Sequence, residues 1–177
     1  MNTCVKQTVF EMLRDRGYKN IDEIAGGKLI AKTNDITTLI YACKEDKSGI
    51  KSYKQALKLI NENKCNALIF IYRTCITIFA KNEFEKLVND NIKIELFSES
   101  ELSFNITKHV LVPSHELLKQ EEKINVLRDL RIDPKSLPVL TITDPVARYY
   151  NYKRGDVIRI TRKSPTNGVY SFYRLVY

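Results

Sequence analysis

The sequence predicts an α+β fold in two regions, an N-terminal α/β layer domain with a mixed sheet and a small C-terminal α/β domain. Over the first hundred residues, stretches with apolar residues at helical spacing alternate with short β-branched runs. All five prolines lie in the last 65 residues, where they divide the chain into short elements with fixed turns. The change falls near residue 104, so the predicted domains are residues 1–103 and 104–177.

The N-terminal region is predicted to place a helix in front of a strand, helix, strand pattern. Val5, Val9 and Leu13 recur at helical spacing and Gly17 stands where a helix C-cap is expected. Residues 20–35 are expected to form a connection. The elements predicted in this region are helices over 5–16, 52–63 and 83–89, a strand over 37–43, a turn over 45–49, buried strands over 67–72 and 75–79, and a strand over 92–97.

Shorter elements are expected in the C-terminal region. Asp144 and Pro145 are typical of the N-cap and first turn of a helix, which is predicted to extend to residue 150. The other predicted elements are a helix over 114–130, a strand over 139–142, and antiparallel strands over 156–162 and 168–176 around a turn at 164–167.

Composition limits the cellular setting that we expect. The longest apolar run, residues 67–72, is too short to span a bilayer, and the start Met1-Asn2-Thr3 has no signal-peptide character. The four cysteines are scattered without a Cys-x-x-Cys pair, which favours free thiols over a zinc site or disulfides. We therefore expect an intracellular protein that does not associate with a membrane.

The charge pattern gives only a weak indication of a polyanionic partner. The net charge is +8, yet residues 1–108 carry 17 Lys/Arg against 14 Asp/Glu and residues 109–177 carry 12 against 7. Because the excess is spread along the chain, a mildly basic solvated surface explains it as well as nucleic-acid binding does.

No catalytic motif, metal site or cofactor is expected. P-loop, GxGxxG, HExxH and GxSxG patterns are absent, and His109 and His115 are spaced to share no helical face. A metal-dependent nuclease is one alternative, since the first region resembles a nuclease core in its element order. Such an enzyme needs carboxylates on its central strand, but residues 67–72 have none, and Glu62-Asn63-Lys64 lies before that strand.

Three C-terminal segments, "FNITKHVLVPSHELL", "DPVARYYNYKRGDVIRITRKSP" and "GVYSFYRLV", resemble the assembly domain of the subunit shared by the three eukaryotic nuclear RNA polymerases. A small subunit of the archaeal RNA polymerase is the archaeal relative. "EMLRDRGY", "GIKSYKQAL" and "ITIFAK" resemble the jaw domain that the eukaryotic form carries and the archaeal form lacks. The resemblance implies a non-catalytic polymerase subunit from a eukaryote or a large DNA virus, acting in the nucleus or in a cytoplasmic virus factory.

The resemblance also implies partners and contact residues. The C-terminal domain is expected to anchor to the largest polymerase subunit near a further small shared subunit. The residues expected at that interface are Arg148, Tyr149, Arg154, Arg162 and Arg174, which are types enriched in protein interfaces. Asp144, Pro145 and Gly155 of the same motif are explained by folding alone.

The jaw domain is expected to lie near downstream duplex DNA. Where the family commonly has Thr-Pro-Ser-Ala, this chain has Thr77-Ile78-Phe79-Ala80 followed by Lys81. Contacts here are expected to be with phosphates and independent of sequence, because a polymerase moves over any sequence. The residues expected near DNA are Thr77, Lys81, Lys51 and Lys54. A stand-alone DNA-binding protein is the second alternative, and tight DNA binding by the isolated chain is its mark.

Overall fold

A computed structural model describes residues 2–24, 28–33, 36–89, 92–164 and 168–177. The chain divides into two compact units, Met1–Phe104 and Asn105–Tyr177. Each unit combines helices with a sheet that contains both parallel and antiparallel strand pairs. The predicted α+β class with a mixed sheet is therefore confirmed. In the described parts of the chain, no helix has both the length and the apolar character needed to cross a membrane.

The first unit is built around a five-stranded sheet with the order β1-β2-β3-β5-β7. The strand pairs β1–β2 and β2–β3 are antiparallel, whereas β3, β5 and β7 run parallel to one another. Its elements are α1 (Thr3–Asp15), β1 (Asn20–Ile24), β2 (Lys28–Lys32), β3 (Thr37–Ala42), β4 (Lys47–Ser48), α2 (Ile50–Asn63), β5 (Ala67–Tyr72), β6 (Cys75–Ile76), α3 (Ile78–Asn89) and β7 (Lys93–Ser98).

Helices cover both faces of this sheet, so that the central strand β5 is buried almost throughout. On one face, Tyr53 of α2 and Phe84 of α3 meet with ring centroids 5.1 Å apart, and Phe84 lies 4.8 Å from Phe70 of β5. On the other face, Tyr18 after α1 hydrogen-bonds Thr38 of β3 at 2.9 Å. Side chains alternate along β5, which is why one buried strand supplies both cores.

The second unit has a four-stranded sheet with the order β8-β10-β11-β9. Strands β11 and β9 are parallel neighbours, and the other two pairs among the described residues are antiparallel. Its elements are a 3-10 turn at Ile106–Lys108, β8 (Ser114–Leu117), α4 (Gln120–Leu130), a 3-10 turn at Pro134–Ser136, β9 (Val139–Leu140), α5 (Pro145–Tyr150), β10 (Val157–Ser164) and β11 (Gly168–Val176).

The two helices of this unit lie on opposite faces of the sheet. Ala147 of α5 packs in a core with Ile158, Ile160 and Val176. Val157 belongs to the other face, where Leu127 of α4 packs with it. Because cross-strand partners share a face, the β10–β11 register places Arg162, Tyr170, Phe172 and Arg174 on the α5 face.

Several expectations about individual elements were wrong. Residues 20–35 are not a plain connection, because β1 and β2 form a hairpin there. The strand expected over 75–79 ends at Ile76, and Ile78 already begins α3. The helix expected from residue 114 begins at Gln120, since Ser114–Leu117 pairs with β10 as a strand. The turn expected at 45–49 contains the two-residue strand β4.

Other expectations were close to the structure. Strand β5 occupies the predicted residues, and the helix expected from residue 52 begins two residues earlier, at Ile50. The antiparallel pairing of β10 with β11 is confirmed over eight residue pairs. Residues 165–167 of the turn predicted between them lie outside the described residues.

Candidate interaction surfaces

The segment from Asp144 to Gly155 is fixed by local hydrogen bonds. Asp144 Oδ1 accepts from the backbone N–H groups of Val146 at 2.8 Å and Ala147 at 3.4 Å, and Pro145 fills the first helical position. The helix ends at Tyr150, and its C-cap Asn151 has the left-handed conformation, with φ 56°. Gly155 has φ 91°, which a residue with a Cβ rarely adopts. The predicted capping role of Asp144 is thus confirmed, and the turn gives Arg148 and Arg154 defined positions.

Tyr149 does not fit the surface role that the sequence indicated. Its side chain is only 3% exposed, and its hydroxyl accepts a hydrogen bond from Asn105 Nδ2 at 3.0 Å. Asn105 Oδ1 in turn accepts from the backbone N–H of Thr107 at 3.0 Å. Tyr149 therefore secures the chain around the Ile106–Lys108 turn and offers almost no side-chain surface to a partner.

The remaining arginines expected at the interface reach solvent to different degrees. Arg154 is exposed, with its guanidinium 5.6 Å from the centroid of the Tyr177 ring. Arg162 is also exposed, near the end of β10. Arg174 is half-buried and donates from Nη1 to the Val139 carbonyl at 3.4 Å, while its Nε has no acceptor among the described residues. Arg148, on α5, is half-buried.

The two faces of the C-terminal sheet differ in how their charges are matched. On the α4 face, Arg159 pairs with Glu116 at 2.7 Å, and this hydrogen bond raises the pKa of the Arg159 guanidinium. On the α5 face, Arg162 and Arg174 form no ion pair with any described residue. Tyr152 lies in the core between α5 and the sheet. Burial raises the pKa of its phenol, so this side chain stays neutral and adds no negative charge to the face. The α5 face therefore carries two arginines without an ion pair to a described residue.

The residues expected near DNA surround the beginnings of α2 and α3. Strands β4 and β6 pair in parallel, and each directly precedes one of these helices. The Thr77 N–H donates to the Ser48 carbonyl at 3.1 Å, which holds the two helix N-termini side by side. Thr77 Oγ1 accepts from the Ala80 N–H at 3.4 Å, as an N-cap does.

Lysines occupy the first turns of both helices. Lys51 and Lys54 lie at the start of α2 and Lys81 at the start of α3, and all three are exposed. The structure thus brings the four residues expected near DNA to one end of the helix pair. Helix N-termini carry partial positive charge and unpaired N–H groups, which add to the attraction that lysines exert on phosphate.

Two apolar residues at this end were assigned wrongly from the sequence. Ile78 and Phe79 were expected in a buried strand but are 77% and 73% exposed at the start of α3. Helical spacing contained the necessary signal, because Ala80, Phe84 and Leu87 recur at intervals of four and three and form the buried side of α3. Ile78 and Phe79 do not fit that series and face outwards.

The histidines and the nuclease-like triplet occupy ordinary structural positions. His109 Nδ1 accepts from the Leu111 N–H at 3.2 Å, and His115 Nδ1 lies 2.8 Å from the Pro113 carbonyl. Glu62 lies 3.8 Å from Lys58 on α2, and Lys64 is the left-handed C-cap of that helix. Within the described ranges, no group of three or more His, Cys, Asp or Glu side chains is arranged to hold a metal ion.

Comparison with known proteins gives a consistent family for both units. Residues 104–176 match the family model described as "RNA polymerase Rpb5, C-terminal domain". "DNA-directed RNA polymerases I, II, and III subunit rpabc1" of Dictyostelium discoideum is 35% identical over 186 residues, covering 97% of this chain and 94% of the relative. The RPABC1 subunit of Caenorhabditis briggsae is 31% identical over 198 residues, covering 97% and 93%.

A crystal structure of a protein of unknown function covers 73% of this chain, with a TM-score of 0.38 and 14% identity, and supports no inference. The family assignment rests on the sequence relatives, whose similarity extends through both compact units. The chain belongs to the RPABC1 (Rpb5) family, whose members are named as the subunit shared by RNA polymerases I, II and III.

Proposed function

We propose that this chain is a non-catalytic structural subunit of a multisubunit DNA-directed RNA polymerase. The observation that carries the proposal is the identity of 35% to a shared polymerase subunit, over 97% of this chain and 94% of the relative. Similarity over nearly the full length of both proteins covers both compact units, so the proposal applies to the chain as a whole. Its sequence contains no P-loop, GxGxxG, HExxH or GxSxG motif, which fits a supporting role.

The unit of residues 105–177 is proposed to anchor the chain to the largest polymerase subunit, next to a further small shared subunit. The match of residues 104–176 to the family model supports this assignment. Arg154 and Arg162 are exposed, and arginine is among the residue types enriched in binding hot spots. The turn that carries Arg154 is held by hydrogen bonds from the Lys153 N–H to Asp156 Oδ2 at 2.7 Å and from the Gly155 N–H to the Val176 carbonyl at 2.9 Å. Because this backbone is already ordered, less entropy is lost when a partner carboxylate or carbonyl is bound.

The first unit is proposed to form part of the lower jaw, near downstream duplex DNA. Support comes from the adjacent N-termini of α2 and α3, with Lys51, Lys54 and Lys81 in their first turns. These groups recognise phosphate and carry no base specificity. Residues 1–108 have 17 Lys/Arg against 14 Asp/Glu, a net charge of +3, so the isolated chain is expected to bind DNA only in the non-specific range, ~10⁻⁴ to 10⁻⁶ M.

The same proposal places the chain in the nucleus, where the polymerases named for its relatives act. If the source is a large DNA virus, the corresponding place is a cytoplasmic virus factory. Fractionation of the source cells with an antibody to the chain distinguishes the two locations.

Purification of the tagged chain from its native source tests the proposal. We expect the largest polymerase subunit to co-elute, together with RNA-synthesising activity on a DNA template. Tight DNA binding by the chain without other subunits would support a stand-alone DNA-binding protein instead, and metal-dependent DNA cleavage would support a nuclease. Either result, obtained without co-eluting polymerase, contradicts the proposal.

A further inference from the structure

Strand β11 has an open edge along most of its length. On one side it pairs with β10 over eight residue pairs. On the other side β9 pairs only with Leu175 and Val176. Residues 168–174 of β11 therefore have no described strand beside them on that side.

The direction of the backbone groups along this edge follows from three hydrogen bonds. The Leu175 N–H donates outwards to the Pro138 carbonyl at 2.9 Å, and the Tyr177 N–H donates outwards to the Leu140 carbonyl at 3.0 Å. The Val176 N–H points the other way, to Asp156 O at 2.9 Å. Because direction alternates along a strand, Val169, Ser171 and Tyr173 direct their N–H and C=O groups outwards, where no described backbone group pairs with them.

Three features that normally protect an edge strand, a proline, a lysine and a bulge, are missing from residues 168–174. Natural edges are shielded by proline, by lysine, by a bulge or by a covering segment. Residues 168–174 read Gly-Val-Tyr-Ser-Phe-Tyr-Arg, and the register with β10 is regular, with no bulge. Val169 and Tyr170 are 65% and 38% exposed. The edge is thus regular, and it is exposed over residues 168–171, whereas Tyr173 is half-buried and packs against the cluster that contains Leu137. A regular, exposed edge is what strand addition requires.

Charge on the α5 face indicates which kind of segment fits. Arg174 lies on this edge strand and Arg162 lies on its neighbour, and neither forms an ion pair with a described residue. Tyr170 and Phe172 lie between these arginines, with ring centroids 5.9 Å apart. Their rings form an aromatic surface between the two positive charges. A second copy of this chain is a poor occupant, because it brings the same net charge of +8 to the edge.

We infer that residues 169–173 of β11 bind an extended acidic segment of another polymerase subunit, which adds to the sheet as a fifth strand. The inference rests on the proposed function, since it takes the partner from the polymerase. Backbone hydrogen bonds to Val169, Ser171 and Tyr173 provide affinity, and carboxylates beside Arg174 and Arg162 select the segment.

Amide hydrogen exchange of the full chain, free and in purified polymerase, tests the strand addition. The amides of Val169, Ser171 and Tyr173 are expected to exchange fast in the free chain and about tenfold slower or more in the polymerase. Equal exchange rates in the free and assembled chain would overturn the inference while the polymerase assignment stands. Protection in the free chain that increases with its concentration would show that a second copy occupies the edge, and would also overturn it.

A proline substitution separates the backbone contact from the side chain. Ser171→Pro removes one outward N–H without removing a β10–β11 hydrogen bond, and is expected to weaken incorporation into polymerase roughly three- to tenfold. Ser171→Ala keeps the N–H, and Lys163→Pro alters the opposite edge of the hairpin at the position paired with Val169. Both controls are expected to incorporate normally, with melting temperatures matching that of Ser171→Pro. Equal incorporation of all three variants contradicts the inference.

Cross-linking identifies the segment. In polymerase assembled with a photoreactive benzoyl-phenylalanine in place of Tyr170, the captured peptide is expected to come from another subunit and to carry more Asp and Glu than Lys and Arg. Capture of a basic peptide, or of a peptide from a second copy of this chain, overturns the proposed occupant. If the chain enters no polymerase in the first place, it is the proposed function that fails.

Discussion

Arg16 and Arg154 illustrate two different uses of an arginine in this protein. Arg16 follows α1 and donates from Nη1 and Nη2 to both carboxylate oxygens of Glu95 on β7, at 3.0 and 2.7 Å. Its side chain is only 4% exposed, so the pair connects a helix end to the sheet in a poorly solvated place. Arg154 is exposed, with Tyr177 as its aromatic neighbour, and is available to a partner. The sequence contains no direct signal for the Arg16 pair, whose partners lie 79 positions apart.

Arg16→Ala is expected to lower the free energy of unfolding by about 3 kcal/mol, because it leaves the Glu95 carboxylate partly buried without its partner. Urea unfolding of the whole chain measures the loss. Arg14→Ala, an exposed position near the end of the same helix, serves as the control and is expected to change stability by less than about 0.5 kcal/mol. Similar losses for both variants would show that the buried pair contributes nothing particular.

Arg154→Ala is expected to weaken association with the polymerase by about 2 kcal/mol or more, the range of a central contact. Lys153→Ala removes the neighbouring exposed cation and is the matched control. Association is measured by competition for incorporation against the tagged parent chain, with melting temperature checked for each variant. If the two variants compete equally well, Arg154 is peripheral to the interface.

Among the helices and strands, those with a local sequence signal could be predicted, whereas those that depend on pairing with a distant strand could not. The capped helix α5 and the buried strand β5 were predictable because their signals are local, a cap followed by proline and a continuous apolar run. Strand β1 was missed because it is an exposed edge containing Asp22 and Glu23, and its conformation depends on pairing with β2. Residues 114–117 were likewise assigned by local propensity to a helix, whereas pairing with β10 makes them a strand.

The end of the α2–α3 pair combines a predicted set of residues with an unpredicted arrangement. Thr77, Lys51, Lys54 and Lys81 were identified through the resemblance, but their meeting place depends on the parallel β4–β6 pair. Two strands of two residues each carry too little sequence pattern to be recognised. The candidate DNA-facing end was therefore predictable in its residues and not in its geometry.

Lys81→Glu is expected to leave assembly intact and to reduce the salt dependence of polymerase bound to downstream duplex. Loss of one phosphate contact lowers the slope of log affinity against log salt by about one unit. Lys58→Glu reverses an exposed lysine two turns further along α2 and is expected to leave the slope unchanged. An identical slope for Lys81→Glu and the parent at every downstream DNA length means that this end of the helix pair makes no DNA contact.

At the scale of the whole molecule, two compact units meet at residues 104 and 105, close to the change in proline content. Each unit has its own sheet and its own buried apolar residues. Relatives from Dictyostelium discoideum and Caenorhabditis briggsae match across both units. Apolar periodicity and the distribution of prolines predicted a two-part α+β protein, and no catalytic motif was found. The family was identified from the long matching segments in the C-terminal third.

Residues 105–177 alone are expected to fold and to enter the polymerase, because this unit contains a complete four-stranded sheet with helices on both faces. The fragment, carrying a tag, is expressed alongside the untagged chain, and the purified polymerase is examined for its presence. A fragment that is soluble and cooperatively folded, yet never found with the largest subunit, would locate the anchoring surface elsewhere.

Membership of the polymerase is tested by the number of copies of this chain per largest subunit in the active, salt-washed enzyme from its native source. Quantitative mass spectrometry with labelled peptides from both compact units provides that ratio. A subunit of the RPABC1 family is predicted to be present at one copy per enzyme in every fraction that synthesises RNA. Active fractions that contain far less than one copy, with the chain recovered elsewhere as a free protein, would show that the chain is not a subunit of the enzyme.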